Sequence, residues 1–144
     1  MSFNDLFSAN SISGSGMTAE SYRMEVIANN IANANSTRSA NGGPFRRQDV
    51  VFAEVLGSAT RGAPGPNFRG VQVVDRIEDP SELPRVFMPG HPDADAEGFV
   101  QMPNVQLPIE MVNLLTASRA YEANLRAAQT FRQMSEQALA LLRG

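Results

Sequence analysis

The sequence predicts a mostly α fold with a small β part. Long N- and C-terminal helices pair as a coiled-coil-like hairpin, with short strands and Pro/Gly-rich loops between them. Three observations predict this. All nine prolines of the 144 residues lie between Pro44 and Pro108, so both ends lack the strongest helix breaker. From Ile109 to Arg143, apolar or small residues recur in steps of three and four, which is one stripe on a helix. The first stretch carries a similar stripe. The chain therefore divides into an N-terminal helical arm (1–35), a loop and β-hairpin middle (36–108) and a long C-terminal helix (109–144).

The arm's stripe reads Phe3, Leu6, Phe7, Met17, Met24, Ile27, Ala28, Ile31 and Ala34. Met17, Met24 and Ile31 share one heptad phase. Ser11 to Gly16 is a poor helix former. A helix is therefore expected from about residue 17, with the turn before it strained or broken and Thr18 as its N-cap. Gly14 and Gly16 offer places for another backbone to approach closely. Asn29, Asn30, Asn33 and Asn35 crowd the far end, where asparagine is a costly choice for a helix facing only water. Either this is a fraying polar end, or the amides are buried and bonded to neighbouring chains. Asn35 suits the left-handed residue that closes a helix.

In the middle, Asn41-Gly42-Gly43-Pro44 reads as a turn, and part of Phe45 to Leu56 as a strand. Gly57 to Gly70 reads as a loop. Val71 to Ile77 is the clearest strand. Arg85–Met88 and Gly98–Met102 flank a turn-rich segment and predict a hairpin.

The C-terminal stretch is about 52 Å long as a helix, against ~11–12 residues for a mean one. Its seam reads Met111, Leu114, Leu115, Ser118, Tyr121, Leu125, Ala128, Phe131, Met134 and Leu141. The sevenfold repeat from Met111 slips at Phe131, like a coiled-coil stutter. Arg119, Glu122 and Arg126 lie opposite, with Glu122–Arg126 in the favourable i,i+4 order. A two-helix hairpin leaves each apolar face partly open, so copies or homologues are expected to close it. A buried large apolar side chain contributes ~1.5–3 kcal/mol, while ordering a backbone residue costs ~1–2 kcal/mol. The arm has few such side chains for its length, so it is expected to fold on assembly.

Composition narrows the function. A net charge of −3 argues against nucleic acid. All twelve basic residues are arginine, so neither a polylysine membrane anchor nor a lysine nucleophile is available. Without cysteine there are no disulfides or thiolate metal sites. The first positive charge is Arg23, and no apolar run precedes it, so a cleaved signal peptide is not expected. Asp93 to Gly98 resembles the first half of a calcium loop, but Asn104 stands where the bidentate glutamate belongs. A solvated hairpin tip fits better. His91, the one histidine, reads as a turn residue between Gly90 and Pro92. No hydrolase, Walker or dinucleotide motif occurs. No cofactor, metal or small-molecule ligand is expected. Arg46 and Arg47 are expected at a sheet edge or against acidic residues of a partner.

Met24 to Thr37, MEVIANNIANANST, is similar to the signature of bacterial flagellar rod and hook proteins. Gly42–Gln48, Pro89–Val100 and Met102–Val105 resemble proximal-rod members of that family. Glu110 to Asn124 resembles its paired C-terminal motif. The likeness is broken mainly at 57–70. It implies a structural subunit of the periplasmic drive shaft, whose terminal helices pack into a torque-transmitting tube. It implies as partners other copies, other rod proteins including the distal rod, and the adaptor between the rod and the export gate and membrane ring. The type III export apparatus would carry the chain without cleaving it. Asn29, Asn30, Asn33, Tyr121 and Asn124 carry over as motif positions. Phe3, Leu6 and Phe7 are the nearest match to the family's short export motif. The alternatives are another rod subunit of the family, a secreted metal-dependent enzyme using Asp93–Glu97, or a cytosolic coiled-coil adaptor.

Overall fold

The computed structural model describes residues 3–40, 42–56 and 68–143. The side chains of Phe3, Leu6 and Phe7 lie outside the described residues, as does 57–67 of the loop expected over Gly57–Gly70; its last three residues, Phe68 to Gly70, are not loop but the start of a strand.

Helix α1 spans Phe3–Ala32 without a break. The interruption expected at Ser11–Gly16 is absent, and Thr18 sits mid-helix and caps nothing. The hydroxyls there bond back into their own helix. Ser15 Oγ donates to the Ile12 carbonyl at 2.7 Å, and Thr18 Oγ1 to that of Gly14 at 3.1 Å. Packing outweighs the ~1 kcal/mol propensity penalty of a helical glycine. Ser13 and Ala19 are buried, and a Cβ on Gly16 would come within 2.9 Å of the Asn124 side chain. Gly14, by contrast, has open space beside it.

Helix α1 also ends differently from the expectation. The Asn33 amide donates to the Asn29 carbonyl at 2.9 Å and to Asn29 Oδ1 at 2.8 Å. Asn33 Oδ1 accepts the Ser36 hydroxyl at 3.2 Å. Asn35 is not left-handed, since no described residue other than glycine has a positive φ. Backbone turn bonds close the helix in its place: the Ala34 N–H donates to the Ile31 carbonyl at 3.3 Å and the Ser36 N–H to the Asn33 carbonyl at 3.0 Å.

Strand β1 (Gln48–Leu56) pairs with β2 (Phe68–Glu78). Strand β3 (Arg85–Phe87) pairs antiparallel with β4 (Phe99–Gln101), with Arg85 opposite Gln101 and Phe87 opposite Phe99. The Phe87 and Phe99 rings meet edge to face at 5.3 Å, and the Arg85 guanidinium lies 5.1 Å from the Phe99 ring centre. Helix α2 runs Leu107–Arg143. It starts before Pro108, which the first helical turn accepts because no N–H is needed there.

The chain forms two compact units. One is drawn from 1–22, 51–75 and 116–144, the other from 23–50 and 76–115. In the first, Gly70 at φ +110° is crowded by Ser15, whose Oγ accepts the Val71 N–H at 3.1 Å. Only glycine fits that backbone without strain. In the second, Val26, Ile27, Ala34 and Val100 are buried together with Asn30 and Glu110.

On α2 the buried line is one residue out of phase with the large apolar line, whereas on α1 Ile27 and Ala34 of the expected stripe are buried beside Asn30. The α2 line runs through Glu110 and Ala117, both fully buried, to Asn124. Met111 and Leu125, one position on and so ~100° round the helix, are exposed. On α1, Asn30 is fully buried and Gly16 is in close contact, while Met17, Met24 and Ile31 are only partly buried. Phe131 stands seven residues beyond Asn124. The slip expected there disappears once the repeat is counted from Glu110.

Candidate functional site

The second unit is organised around two side chains with no solvent exposure, Asn30 and Glu110. Burying an amide and a carboxylate is unfavourable unless every polar atom finds a partner. Here they find each other. Asn30 Nδ2 donates to Glu110 Oε2 at 3.0 Å and to the Gln48 carbonyl at 2.8 Å. Asn30 Oδ1 accepts the Gln48 N–H at 2.9 Å. The Asn30 amide thus pairs with the Gln48 backbone as a neighbouring strand would. Glu110 Oε1 accepts Arg47 Nε at 2.7 Å and Asn113 Nδ2 at 3.4 Å. Glu110 also sits in the first turn of α2, where the helix dipole favours a negative charge.

Arg47 joins this pair to the rest of the unit. Its N–H donates to Asn104 Oδ1 at 2.7 Å, and its carbonyl accepts the Asp79 N–H at 2.8 Å. Its guanidinium reaches Asp49 at 3.2 Å and Asp79 at 3.7 Å. Burial alone would lower its pKa, but the hydrogen bond and charge of Glu110, with Asp49 adding to them, hold it above its ordinary value. Arg46 donates to the carbonyls of Asp79 and Ser81 at 3.2 and 3.1 Å. Asn104 Nδ2 donates to Ser81 Oγ at 2.8 Å and the Asp79 carbonyl at 3.2 Å. The acidic partners of Arg47 therefore belong to its own chain, and the partners of Asn30 and Asn33 do too.

The acidic tip is also tied internally. Asp93 accepts Thr37 Oγ1 at 2.8 Å and pairs with Arg38. His91 Nδ1 accepts the Asp93 N–H at 3.1 Å, a turn bond of the kind expected for a histidine between Gly90 and Pro92. Asp95 Oδ1 accepts the N–H groups of Phe99 and Glu97 at 2.8 and 3.0 Å, and its carboxylate pairs with Arg85. Glu97 extends toward Arg85 at 3.8 Å. These carboxylates spend their oxygens on turn amides and arginines, and the described residues hold no His/Asp/Glu group arranged for a metal ion.

The same bonds make a pH prediction. The Thr37 hydroxyl, then Arg38, holds the Asp93 carboxyl below the usual range. The Phe99 N–H, then Arg85, does the same for Asp95. A depressed folded pKa gives stability that is whole above the unfolded value of ~3.9 and is lost as pH falls through the folded one. The 91–99 tip is therefore expected to keep its structure at pH 5 and to loosen only below about pH 4. Amide chemical shifts of Glu97 and Phe99 across that range check this.

Away from the polar cluster, both helices keep apolar side chains at the surface. On α2, Met111 is 60% exposed, Val112 63%, Leu115 54% and Ile109 50%. Leu125 is 37% exposed and Leu141 85%. Among the other expected seam residues, Ile27 is buried, and Met17, Met24, Ile31, Leu114, Tyr121, Phe131 and Met134 are partly buried. Asn124 does not reach outward; its Nδ2 donates to the Ala120 carbonyl at 3.0 Å. The sequence reading singled out Asn30, Arg46 and Arg47 but missed Glu110, Gln48 and Asn104 as their partners. A glutamate between apolar Ile109 and Met111 was the available signal. The described residues include no helix long and apolar enough to cross a membrane.

Comparison with known proteins places these elements. The model of the flagella basal body rod protein family matches residues 11–38, and that of the flagellar basal body rod FlgEFG protein C-terminal family matches 96–141. The flagellar basal-body rod protein FlgC of Borreliella burgdorferi is 40% identical, covering 96% of this chain and 99% of that one. FlgC of Escherichia coli O6:H1 is 43% identical over 90% of this chain and 92% of its own. FlgC of Bacillus subtilis is 39% identical over 92% and 95%. Both matched models take in a helix carrying part of the Asn30–Glu110 contact.

Proposed function

The chain belongs to the FlgC family of flagellar basal-body rod proteins, and on that premise we propose that its terminal helices pack with those of neighbouring subunits into the tube of the proximal rod. It is a structural subunit of the rod and not an enzyme. The observation that carries the packing proposal is the phase difference on α2. The inward lines hold Asn30, Glu110, Ala117 and Gly16, whereas Met111, Val112, Leu115 and Leu125 remain at the surface. Large apolar side chains gathered on one exposed helix flank mark a protein-binding face. A contact that joins different patches on successive copies forms a ring if its rotation closes and an open helix if it does not, and the open helix is the form a shaft requires. The same packing supports torque transmission, since twisting must then shear many side-chain contacts at once.

The partners in this reading are further copies, other rod proteins including the distal rod, and the adaptor joining the rod to the export gate and membrane ring. The type III apparatus would deliver the chain to the periplasmic rod. Detection of the chain in purified basal bodies, with loss of swimming on its deletion, tests the placement. The assembly proposal adds a physical expectation. Amides of residues 17–22 are expected to exchange faster in the soluble chain at micromolar concentration than in isolated rods, whereas 23–34, with Val26, Ile27, Asn30 and Ala34 buried within the chain, are expected to be protected in both. Strong protection of 17–22 in the soluble chain would show that this part of the arm folds without neighbours.

A further inference from the structure

We propose that the Asn30–Gln48–Arg47–Glu110 cluster is the mechanical joint of the subunit, the point at which twist passes between the start of β1 and the two helices. This rests on the reading of the chain as a rod subunit. Three properties single the cluster out. First, it ties segments far apart in the chain, since Gln48, Asn30 and Glu110 come from β1, α1 and α2 and meet through direct hydrogen bonds. Second, Asn30 and Glu110 are wholly excluded from water, so their bonds do not exchange with solvent under strain. Third, the bonds are directional. Apolar contacts are non-directional and allow sliding, whereas hydrogen bonds weaken steeply as their angle opens. The Asn30 amide grips the Gln48 backbone through two bonds, which fixes rotation as well as distance. Arg47 and Glu110 add a charge-assisted bond, the stronger class.

The grip extends to the neighbouring strand. Asp79, one residue past β2, donates its N–H to the Arg47 carbonyl, and Asn104 holds both Arg47 and Ser81. Force on either strand therefore arrives at the same buried carboxylate. The apolar side chains buried in this unit, Val26, Ile27, Ala34 and Val100, supply no comparable directional tie. Glu110 acts here through Arg47 and Asn30 as a positioning residue; it meets no partner protein itself.

The test uses the parent bacterium carrying Glu110→Gln, which keeps the shape, removes the charge and leaves one accepting oxygen for Asn30 and Arg47 to share, the other becoming a donor. Single motors are followed by the rotation of attached beads, small for low load and large for high load. Basal bodies are purified in parallel to count the incorporated subunit. The expected result is normal incorporation and low-load speed, with motors that stop or shed their hooks under sustained high load. Incorporated Glu110→Gln subunits that run as long as wild type at high load would overturn the joint. So would an equal loss at both loads, which marks poor assembly alone. If Glu110→Gln does not incorporate, Arg47→Lys reads the same contrast, because it keeps the charge and loses the planar fork. Failure to find even the wild-type chain in basal bodies would overturn the rod reading, a distinct outcome.

Discussion

Arg47→Met is expected to remove most of the subunit from purified rods and to abolish swimming. The substitution leaves Glu110 fully buried without its counter-charge; breaking one side of a fully buried ion pair costs about 3–5 kcal/mol, and this pair, with Arg47 a fifth exposed, loses somewhat less. Folded domains have only ~5–15 kcal/mol to lose. Asp49 and Asp79 lose the same guanidinium, but they are partly exposed and contribute less. The double variant Arg47→Met/Glu110→Leu removes both charges and is expected to recover part of the loss, since two apolar groups need no partner. Recovery will be incomplete because Asn30 Nδ2 then lacks one acceptor. Immunoblots of whole cells and of isolated basal bodies separate lost stability from lost assembly. Wild-type levels of Arg47→Met in both fractions would show that the pair is dispensable.

Leu125→Asp is expected to stop swimming by a different route. Leu125 is 37% exposed on α2, and no described ion pair lies on it. Nearly two thirds of the side chain is already covered within the subunit, so a carboxylate there also takes some stability from the isolated chain, a part that whole-cell levels measure. Buried against a neighbour's apolar flank it has no partner, and desolvating an unpaired charge costs several kcal/mol at each contact. A rod repeats that contact along its length, so assembly fails. The variant should still be made and exported, and its loss from basal bodies should exceed any fall in its whole-cell level. A motile strain with the variant subunit in its rods would remove Leu125 from the interface.

Much of the architecture was legible from periodicity and punctuation. The stripes at the two ends gave the helices, and the confinement of proline to 44–108 bounded them. Val71 to Ile77 and the two segments flanking the acidic tip gave the strands. What the periodicity hid was the phase. Periodicity alone faces apolar residues inward, which sets Met111 and Leu125 on the seam and leaves Glu110 off it. In the described subunit Met111, Leu115 and Leu125 stay exposed while Glu110 and Ala117 are fully buried, because the buried polar atoms of Glu110 are satisfied within the chain; Ile27 of the same seam is buried. Propensity likewise mistook Ser11–Gly16 for a break. Small residues that weaken an isolated helix are what allow this one to lie against Asn124. The asparagine run leaves two readings open, a polar fraying end or amides bonded to neighbouring chains. The structure shows intrachain bonds instead: local ones for Asn33, to Asn29 and Ser36, and for Asn30 partners 18 and 80 residues away, a distance no local pattern carries.

The most direct test of the packing account is a density map of the intact basal body at side-chain resolution. It should show Met17, Met24 and Ile31 of α1 and Met111, Val112 and Leu125 of α2 covered by apolar side chains of adjacent subunits, with Asn30 and Glu110 still bonded inside each one. A map in which those apolar lines face open water, with neighbours gripping the subunit elsewhere, would contradict it.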